Sequence, residues 1–430
     1  MIHRFGAQFC SVQPFGRRVL LALLLVLLSP TLLVDSAHGK RDTKPPIRVG
    51  ILHSFTGTIA ISERSVVDAE LLAIKEINEA GGVLGRRVEP VQADGRSDPA
   101  VFARRADRLL ARDRVPVIFG CWTSASRRSV VPVVEHREGL LFYPVQYEGV
   151  EQSDNVVYLG AAPNQQIIPA AEWFFDNRGP RFFLVGSDYV FPRVANAVIK
   201  DALAGLGGKV VGEAYRRLGS QDMAAVVRQI KRSKPDVILN TLNGDSNVPF
   251  FRELRKAGVD PNRTPVVSTS IAEDEVRHLD PGTLAGNYAV WNYFQSVDTP
   301  ANRRFVAAFK RAYGRDRVTD DPIEAGYTGV HLWARAAEAA GTTDPAAVRA
   351  AARGLRFAAP EGQVWLDERN QHLWKPVRIG KLRRDGGFDV VWESEGVVHP
   401  VPYPPYRTPS SWRALLTRLY EGWGGQWAAP

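Results

Sequence analysis

The chain has 430 residues, of which 45% are hydrophobic, 23% charged and 10% aromatic; this length predicts two domains, and this composition excludes both a peptide-sized module and a wholly disordered chain. The net charge of +9 is concentrated at the ends, because residues 1–46 carry +4 and residues 407–430 carry +2, which leaves +3 for the 360 residues between them. Since that central part has no basic run interleaved with aromatic residues, binding to nucleic acid is not expected.

The amino terminus has the pattern of a secretory signal peptide over residues 1–36. Arginines precede an apolar stretch, Val19–Val34, and small residues follow it at the spacing of a cleavage site. An uncleaved membrane anchor is the alternative, but a stretch interrupted by Pro30 falls short of the roughly 20 apolar residues that span a bilayer. Because Cys10 precedes the apolar stretch, we expect no lipid anchor and a mature protein outside the cytoplasm.

From residue 47 onward, short β-branched apolar runs alternate with longer amphipathic stretches. This alternation is typical of parallel strands buried between helices. The strands of a first lobe are predicted at residues 48–52, 88–92, 115–119, 140–143 and 156–159. Between the first two strands, Ser65 and Asp68 have the spacing of a capping box at the start of a helix.

A second series of strands predicts a second lobe that is built like the first. Its strands are expected at residues 181–185, 209–214, 236–241 and 265–268. The fold class is therefore α/β, with two doubly wound, Rossmann-like lobes. We expect the chain to be divided into lobe one (47–160), lobe two (161–290), helices that return to lobe one (291–350), strands that return to lobe two (351–405) and an extended surface tail (406–430).

Sequence signals of catalysis and of cofactor binding are missing. The eight histidines have no metal-ligand spacing, and no GxSxG turn, Walker A sequence or GxGxxG loop is present. We therefore expect no enzyme activity, no metal and no cofactor, with an enzyme of unfamiliar type as the alternative. Ligands of open parallel sheets bind beyond the carboxyl ends of the strands, so we expect a binding site at those ends.

Hydroxyl, amide and aromatic side chains follow the predicted strands of both lobes. The candidate ligand-binding residues are Trp122, Thr123, Ser124, Tyr143, Gln146, Tyr189 and Thr241. Such groups suit a small, neutral, polar ligand that is held by hydrogen bonds between rings. The alternative for Ser124 is that it caps the following helix, and the alternative for Tyr143 and Tyr189 is that they are ordinary half-buried aromatic residues.

Longer motifs around these residues resemble one family, the urea and short-chain-amide branch of the type I periplasmic solute-binding proteins. The resemblance covers about residues 47–405. The motifs that carry it are VGILHSFTGTIAISE (49–63), GCWTSASRRSVVPVVE (120–135), LLFYPVQYEGVEQSDNVVYLGAAPNQQ (140–166), GSDYVFPR (186–193), TLNGDSN (241–247) and WNYFQSVDTP (291–300).

The resemblance implies two lobes that are joined by three crossovers and close on a ligand like a hinged trap. It also implies a periplasmic protein that delivers urea or a short-chain amide to the permease subunits of an ABC transporter and meets the membrane only through that permease. An amide-sensing regulatory protein without a transport role is the alternative.

The resemblance also assigns roles to the candidate residues. Ser124 and Tyr143 in lobe one, and Tyr189 and Thr241 in lobe two, would contact the ligand, with Trp122 as a wall of the pocket. By the same resemblance, Val145 and Gln146 stand where the family's amide sensor has a threonine and a proline. Because the carbonyl of Gln146 could accept a hydrogen bond from the second amino group of urea, we expect urea rather than acetamide or formamide.

Overall fold

The computed structural model describes residues 44–429, so the predicted signal peptide lies outside the described residues. The first part of lobe one is a parallel five-stranded sheet in the order β2-β1-β3-β4-β5, with helices on both faces. Its elements are β1 (Ile47–His53), α1 (Ala60–Glu79), β2 (Val88–Asp94), α2 (Pro99–Ala111), β3 (Val117–Gly120), α3 (Ser124–His136), β4 (Leu140–Tyr143) and β5 (Val156–Tyr158).

Helix α1 begins earlier than the sequence predicts. The chain already turns into a helix at Ala60, whose backbone N–H bonds to the carbonyl of Gly57. The predicted capping box is therefore wrong, because Ser65 lies inside the helix and is buried. Its hydroxyl donates instead to Oδ2 of Asp274 in lobe two, at 2.6 Å. This contact joins the two lobes on one side of the cleft.

The chain then builds most of lobe two. The helices and strands of this part are α4 (Ile167–Arg178), β6 (Arg181–Ser187), α5 (Val190–Leu206), β7 (Lys209–Arg216), α6 (Ala224–Ser233), β8 (Val237–Thr241), α7 (Asn247–Lys256), β9 (Val266–Ser268), α8 (Glu273–Arg277), α9 (Pro281–Leu284) and β10 (Tyr288–Trp291). Successive residues of β6 face opposite apolar clusters, since Leu184 packs with α4 and α5 while Phe183 packs with α6 and α7. Burial on both faces explains the continuously apolar strands.

The chain next returns to lobe one and stays there longer than predicted. The returning elements are α10 (Pro300–Tyr313), α11 (Asp321–Ala340), α12 (Pro345–Ala352), β11 (Arg356–Ala359), β12 (Gly362–Leu366) and β13 (Leu373–Trp374). The last three form their own small sheet. Val364 and Leu366 of β12 are buried in the same apolar cluster as β1, β3 and α11. The prediction that the strands of 351–405 return to lobe two is therefore wrong for residues 356–374.

Only the last two strands, β14 (Arg378–Leu382) and β15 (Phe388–Glu393), complete lobe two. They lie antiparallel at one edge of a seven-stranded sheet in the order β15-β14-β10-β9-β8-β6-β7. The tail that follows is not wholly extended, because residues Pro409–Gly422 form α13. The hydroxyl of Thr408 accepts the N–H of Ser411 at 3.2 Å and so starts this helix, with proline at its first position.

The chain crosses between the lobes three times, which confirms the predicted architecture. The crossings follow β5, β10 and β13, and polar side chains bind them to one another. Nζ of the buried Lys375 donates to the carbonyl of Leu159 at 2.8 Å. Nδ2 of Asn292 donates to the carbonyls of Gln165 (3.1 Å) and Pro376 (2.6 Å). The hinge is therefore a cross-linked bundle of three backbone segments.

Candidate functional site

The carboxyl ends of the two parallel sheets face each other across a cleft. The loop after β3 brings Trp122 to this cleft, the loop after β4 brings Gln146, and β6 leads into Tyr189. Each of the seven predicted site residues is buried. Three of them, Trp122, Gln146 and Tyr189, lie where one lobe meets the other. The remaining four form their hydrogen bonds within their own lobe.

Thr123 fixes the start of α3. Its Oγ1 accepts the backbone N–H of Ser126 at 3.0 Å, and the two hydroxyl oxygens of these residues are 3.1 Å apart. The cap that sequence analysis considered for Ser124 therefore belongs to Thr123. Capping holds the amino end of α3, and with it the side chain of Ser124, against the cleft.

Ser124 belongs to a buried network of charged groups. Its hydroxyl donates to the carboxylate of Glu148 and accepts from Nη1 of Arg127 at 3.0 Å. The guanidinium of Arg127 also donates to Oε1 of Glu151 at 2.7 Å and stacks on the ring of Tyr143, 4.8 Å from its centroid. The hydroxyl of Ser124 is thus held inside lobe one.

The charges of this network compensate one another. Arg128 lies 3.1 Å from Oε1 of Glu148 and 3.3 Å from Oε2 of Glu151, so two guanidinium groups face two carboxylates. Burial alone would raise the pKa of Glu151, but Arg127 and Arg128 outweigh burial and hold that pKa below its usual range. Lobe one therefore presents no uncompensated charge to the cleft at these four residues.

Sequence analysis did not identify this network. Arg127 and Glu148 are both fully buried, although arginine and glutamate are almost never buried unless paired. The signal that could have revealed them is the Arg127-Arg128 doublet directly after a strand-end loop, matched by Glu148 and Glu151 in the next such loop. Their pairing across 20 to 24 positions becomes visible only in the fold.

Two tyrosines approach the cleft from opposite lobes. The hydroxyl of Tyr143 donates to the carbonyl of Trp122 at 2.6 Å, so its oxygen keeps only acceptor capacity. Tyr189 is buried on the lobe-two side of the cleft, directly before α5. Burial, followed by Tyr143 and Glu148, raises the pKa of Tyr189. The neutral hydroxyl of Tyr189 therefore faces these lobe-one groups across the cleft.

Gln146 extends from lobe one to lobe two. Its Nε2 donates to the carbonyl of Thr269 at 2.7 Å, while its Oε1 is buried without a hydrogen-bond partner in the described part of the chain. Nε1 of Trp122 lies 3.5 Å from Oδ1 of Asn243 and makes a second, longer contact between the lobes. The cleft is therefore closed, and the Oε1 of Gln146 is an unsatisfied carbonyl acceptor within it.

Thr241 differs from the other candidates because its hydroxyl is directed into lobe two. Oγ1 lies 3.1 Å from the carbonyl of Val185 and 3.4 Å from Oδ1 of Asn196. The structure therefore does not bring this hydroxyl together with the cleft groups. Thr241 holds the ends of β6 and β8 beside each other, and Asn243, two positions later, reaches the cleft.

Neither a metal site nor a membrane-spanning helix is found in the described part of the chain. Residues 44–429 contain no group of three or more histidine, cysteine, aspartate or glutamate side chains arranged to hold a metal ion. Over the same residues, no helix combines the length and the apolar character needed to cross a bilayer.

Known proteins resemble this chain over most of its length. A family model described as "Periplasmic binding protein domain" matches residues 47–409. Leu/Ile/Val-binding protein homolog 6 of Brucella melitensis is 23% identical over 355 residues, which are 80% of this chain and 89% of that protein. A limonene hydroxylase of Geobacillus stearothermophilus is 37% identical over 124 residues, but the match spans 29% of this chain and only 22% of the hydroxylase.

Solved structures show the same fold. An ABC transporter solute-binding protein from Rhodopseudomonas palustris BisB5, in complex with 3,4-dihydroxybenzoic acid, superposes with a TM-score of 0.76 at 22% identity, covering 83% of this chain and 99% of that one. A branched-chain amino acid transporter substrate-binding protein from Streptococcus pneumoniae, in complex with isoleucine, gives a TM-score of 0.69 at 20% identity, covering 83% and 100%. With the matching family model and two lobes joined by three crossovers, the chain belongs to the type I periplasmic binding protein family.

Proposed function

We propose that the protein is the periplasmic solute-binding component of an ABC transporter, and that it captures urea or a short-chain amide in the cleft for delivery to the permease subunits. Membership of the periplasmic binding protein family supports the binding role. The similarity in fold to solute-binding proteins of ABC transporters supports the link to a permease. The choice of a neutral amide rests on the groups that line the cleft.

The charge balance of the cleft favours an uncharged ligand. The structural relatives described above hold carboxylic acids, and a buried carboxylate needs a cation or several free N–H donors. Here the guanidinium groups of Arg127 and Arg128 are paired with Glu148 and Glu151, although Nη2 of Arg128 has no hydrogen-bond partner in the described residues. A bound carboxylate would have to compete with those glutamates, whereas an amide leaves the pairs intact.

The unsatisfied Oε1 of Gln146 is the observation that carries the proposal. A buried acceptor without a donor costs about 1–3 kcal/mol, and the N–H of an amide would remove this cost. The oxygen of Tyr143 can accept a second N–H, and the hydroxyl of Tyr189 can donate to the ligand's carbonyl. Because urea has amino groups on both sides of its carbonyl, it satisfies both acceptors, whereas the methyl group of acetamide leaves one unsatisfied.

Calorimetric titration of the purified protein tests this proposal. We expect urea to bind about 5- to 150-fold more tightly than acetamide, which corresponds to one buried acceptor at about 1–3 kcal/mol. Formamide, isoleucine and 4-hydroxybenzoate complete the ligand set. Tighter binding of isoleucine or of the benzoate than of either amide would refute the neutral-amide proposal, while leaving membership of the family untouched.

A single hydroxyl group offers a sharper test of the site. Tyr189→Phe should weaken urea binding by about 0.5–1.5 kcal/mol and change the unfolding temperature little, because the substitution removes one hydroxyl group and keeps the buried ring. Tyr406→Phe is the matched control, since Tyr406 is exposed on the tail. Equal urea affinity in the two variants would mean that the ring of Tyr189 only packs.

A further inference from the structure

The C-terminal strap, residues 423–429, lies against the loop that carries Tyr189. The backbone N–H of Val190 donates to the carbonyl of Trp427 at 2.9 Å, and the N–H of Ala429 donates to the carbonyl of Asp188 at 2.9 Å. Tyr189 and Ala428 form the antiparallel bridge between these two bonds. The strap therefore adds a short strand to lobe two at the point where the chain enters the cleft.

The same strap also reaches lobe one. The guanidinium of Arg128, on α3, lies 4.9 Å from the centroid of the Trp427 ring, within the range of a cation–π contact. Arg128 in turn pairs with Glu148, which accepts the hydroxyl of Ser124. One residue of the strap thus contacts lobe two through its backbone and lobe one through its side chain.

Helix α13 holds the strap at this position. Trp412 is fully buried and donates from Nε1 to the carbonyl of Pro404 at 3.0 Å. Arg407 forms a two-pronged ion pair with Asp201 of α5, at 2.6 and 2.9 Å. The ring of Tyr420 packs on Trp427 with a centroid distance of 4.6 Å. The strap is therefore held on lobe two, and the ring of Trp427 also contacts Arg128 of lobe one.

We propose that the C-terminal strap belongs to the ligand gate, with Trp427 as a positioning residue for both lobes. Its backbone holds Tyr189 at the cleft, and its ring holds Arg128 and, through Arg128, the pair of Glu148 and Ser124. When the lobes separate, the ring loses Arg128, so the contact exists only in the closed state and slows release of the ligand. The identity of that ligand rests on the proposed function, whereas the role of the strap rests on the geometry alone.

The test compares three variants by urea affinity and by dissociation rate. Trp427→Leu keeps the strap's backbone and much of its apolar volume but removes the aromatic face, so we expect affinity to fall about 2- to 30-fold, mainly through faster dissociation. Trp427→Phe restores a face and should recover most of the loss. Trp423→Leu is the matched control, because Trp423 is equally half-buried on the strap and packs on lobe two.

A second measurement keeps the inference separate from the identity of the ligand. In hydrogen exchange without ligand, the amides of Val190 and Ala429 should lose protection in Trp427→Leu, because leucine packs less well on the ring of Tyr420 and holds the strap on lobe two less firmly. They should keep protection in Trp427→Phe and Trp423→Leu. If wild-type protein does not bind urea, the proposed function fails and hydrogen exchange still decides the role of the strap. Identical exchange and identical urea dissociation in Trp427→Leu and wild type would overturn the strap proposal.

Discussion

His53 shows how a single buried residue makes the whole protein sensitive to pH. Its Nε2 lies 3.0 Å from Oε1 of Glu70, and its Nδ1 lies 3.9 Å from Oε1 of Glu63. His53 ends β1, both glutamates lie on α1, and all three side chains are buried. Burial alone would lower the pKa of His53, but the two carboxylates outweigh burial and raise this pKa to about 10. His53 is therefore charged in the folded state at neutral pH.

The raised pKa of His53 predicts a loss of stability in alkaline solution. A histidine with a higher pKa in the folded than in the unfolded state stabilises the fold below its unfolded pKa of about 6.5, and this stabilisation is lost as the pH rises toward the folded value. We expect His53 alone to lower the free energy of unfolding by up to about 1.4 kcal/mol per pH unit between about pH 7 and pH 9. Denaturation by guanidinium at each pH measures this free energy of unfolding without the proposed ligand.

The control for this prediction is the variant His53→Gln. Its free energy of unfolding should be lower at pH 7 but should depend less on pH, because glutamine does not titrate. The dependence that remains comes from the other titrating groups. Parallel pH curves for the variant and the wild type would show that His53 does not carry the effect.

At the same scale, sequence analysis placed side chains better than it placed their hydrogen bonds. Trp122, Gln146 and Tyr189 follow strand ends, and parallel sheets bring such ends together, so their meeting at the cleft could be predicted. The partners of Ser124 and Thr241 could not be predicted. Glu148 comes next to Ser124, and Asn196 next to Thr241, only when loops and helices pack. A hydroxyl near a cleft can satisfy either the protein or the ligand, and only geometry decides which.

At the scale of elements, the small sheet β11–β13 decides which lobe residues 356–374 belong to. Its side chains alternate, so that Val364 and Leu366 pack into lobe one while the intervening Trp365 stacks on Trp374 at 5.2 Å, away from that core. Alternation of this kind predicts a strand but does not identify the surface it will cover. The sequence therefore predicted strands here correctly and placed them in the wrong lobe.

Substitution of Leu366 tests the position of this sheet. Leu366→Ala should lower the free energy of unfolding by about 2–5 kcal/mol, because the buried side chain leaves a cavity. In hydrogen exchange, we expect β1 and β3 to lose protection first. Leu382→Ala, in β14, is the matched control and should expose lobe two instead; faster exchange in lobe two for Leu366→Ala would support the sequence-based division of the chain.

The tail shows a second limit at the scale of elements. Five prolines between residues 400 and 409 suggested an extended segment. The last of them is the first residue of α13, where proline needs no hydrogen-bond partner and already has the helical φ angle. Thr408 before this proline is the signal that sequence analysis could have used, since threonine followed by proline is a common start of a helix.

At the scale of the whole molecule, closure brings a loop of lobe two against lobe one. A Cβ atom at Gly219, which follows β7, would lie 2.8 Å from Cγ2 of Thr58 in lobe one. Gly207, at the end of α5, has the same φ of +82° and no atom within 4 Å of such a Cβ. The two glycines share a backbone conformation and differ in what surrounds them.

This pair of glycines isolates the effect of closure on binding. Gly219→Asn should hold the lobes apart and weaken urea binding by about 1–3 kcal/mol, the usual cost of overpacking, whereas Gly207→Asn should not. Asparagine is chosen because it tolerates a positive φ. Small-angle scattering with saturating urea should show a larger radius of gyration for Gly219→Asn than for Gly207→Asn, and equal radii and affinities in the two variants would contradict closure at this loop.

The three crossovers also determine the order in which the two lobes can fold as the chain emerges. Lobe one joins residues 47–158 to residues 300–374, and the hydroxyl of Tyr327 on α11 donates to Glu76 on α1 across 251 positions of sequence. A growing chain therefore exposes the apolar face of α1 until most of lobe two has been made, and such exposed faces are prone to aggregation. Each lobe contains segments from both sides of the other in the sequence. No single truncation of the chain would therefore yield an intact lobe.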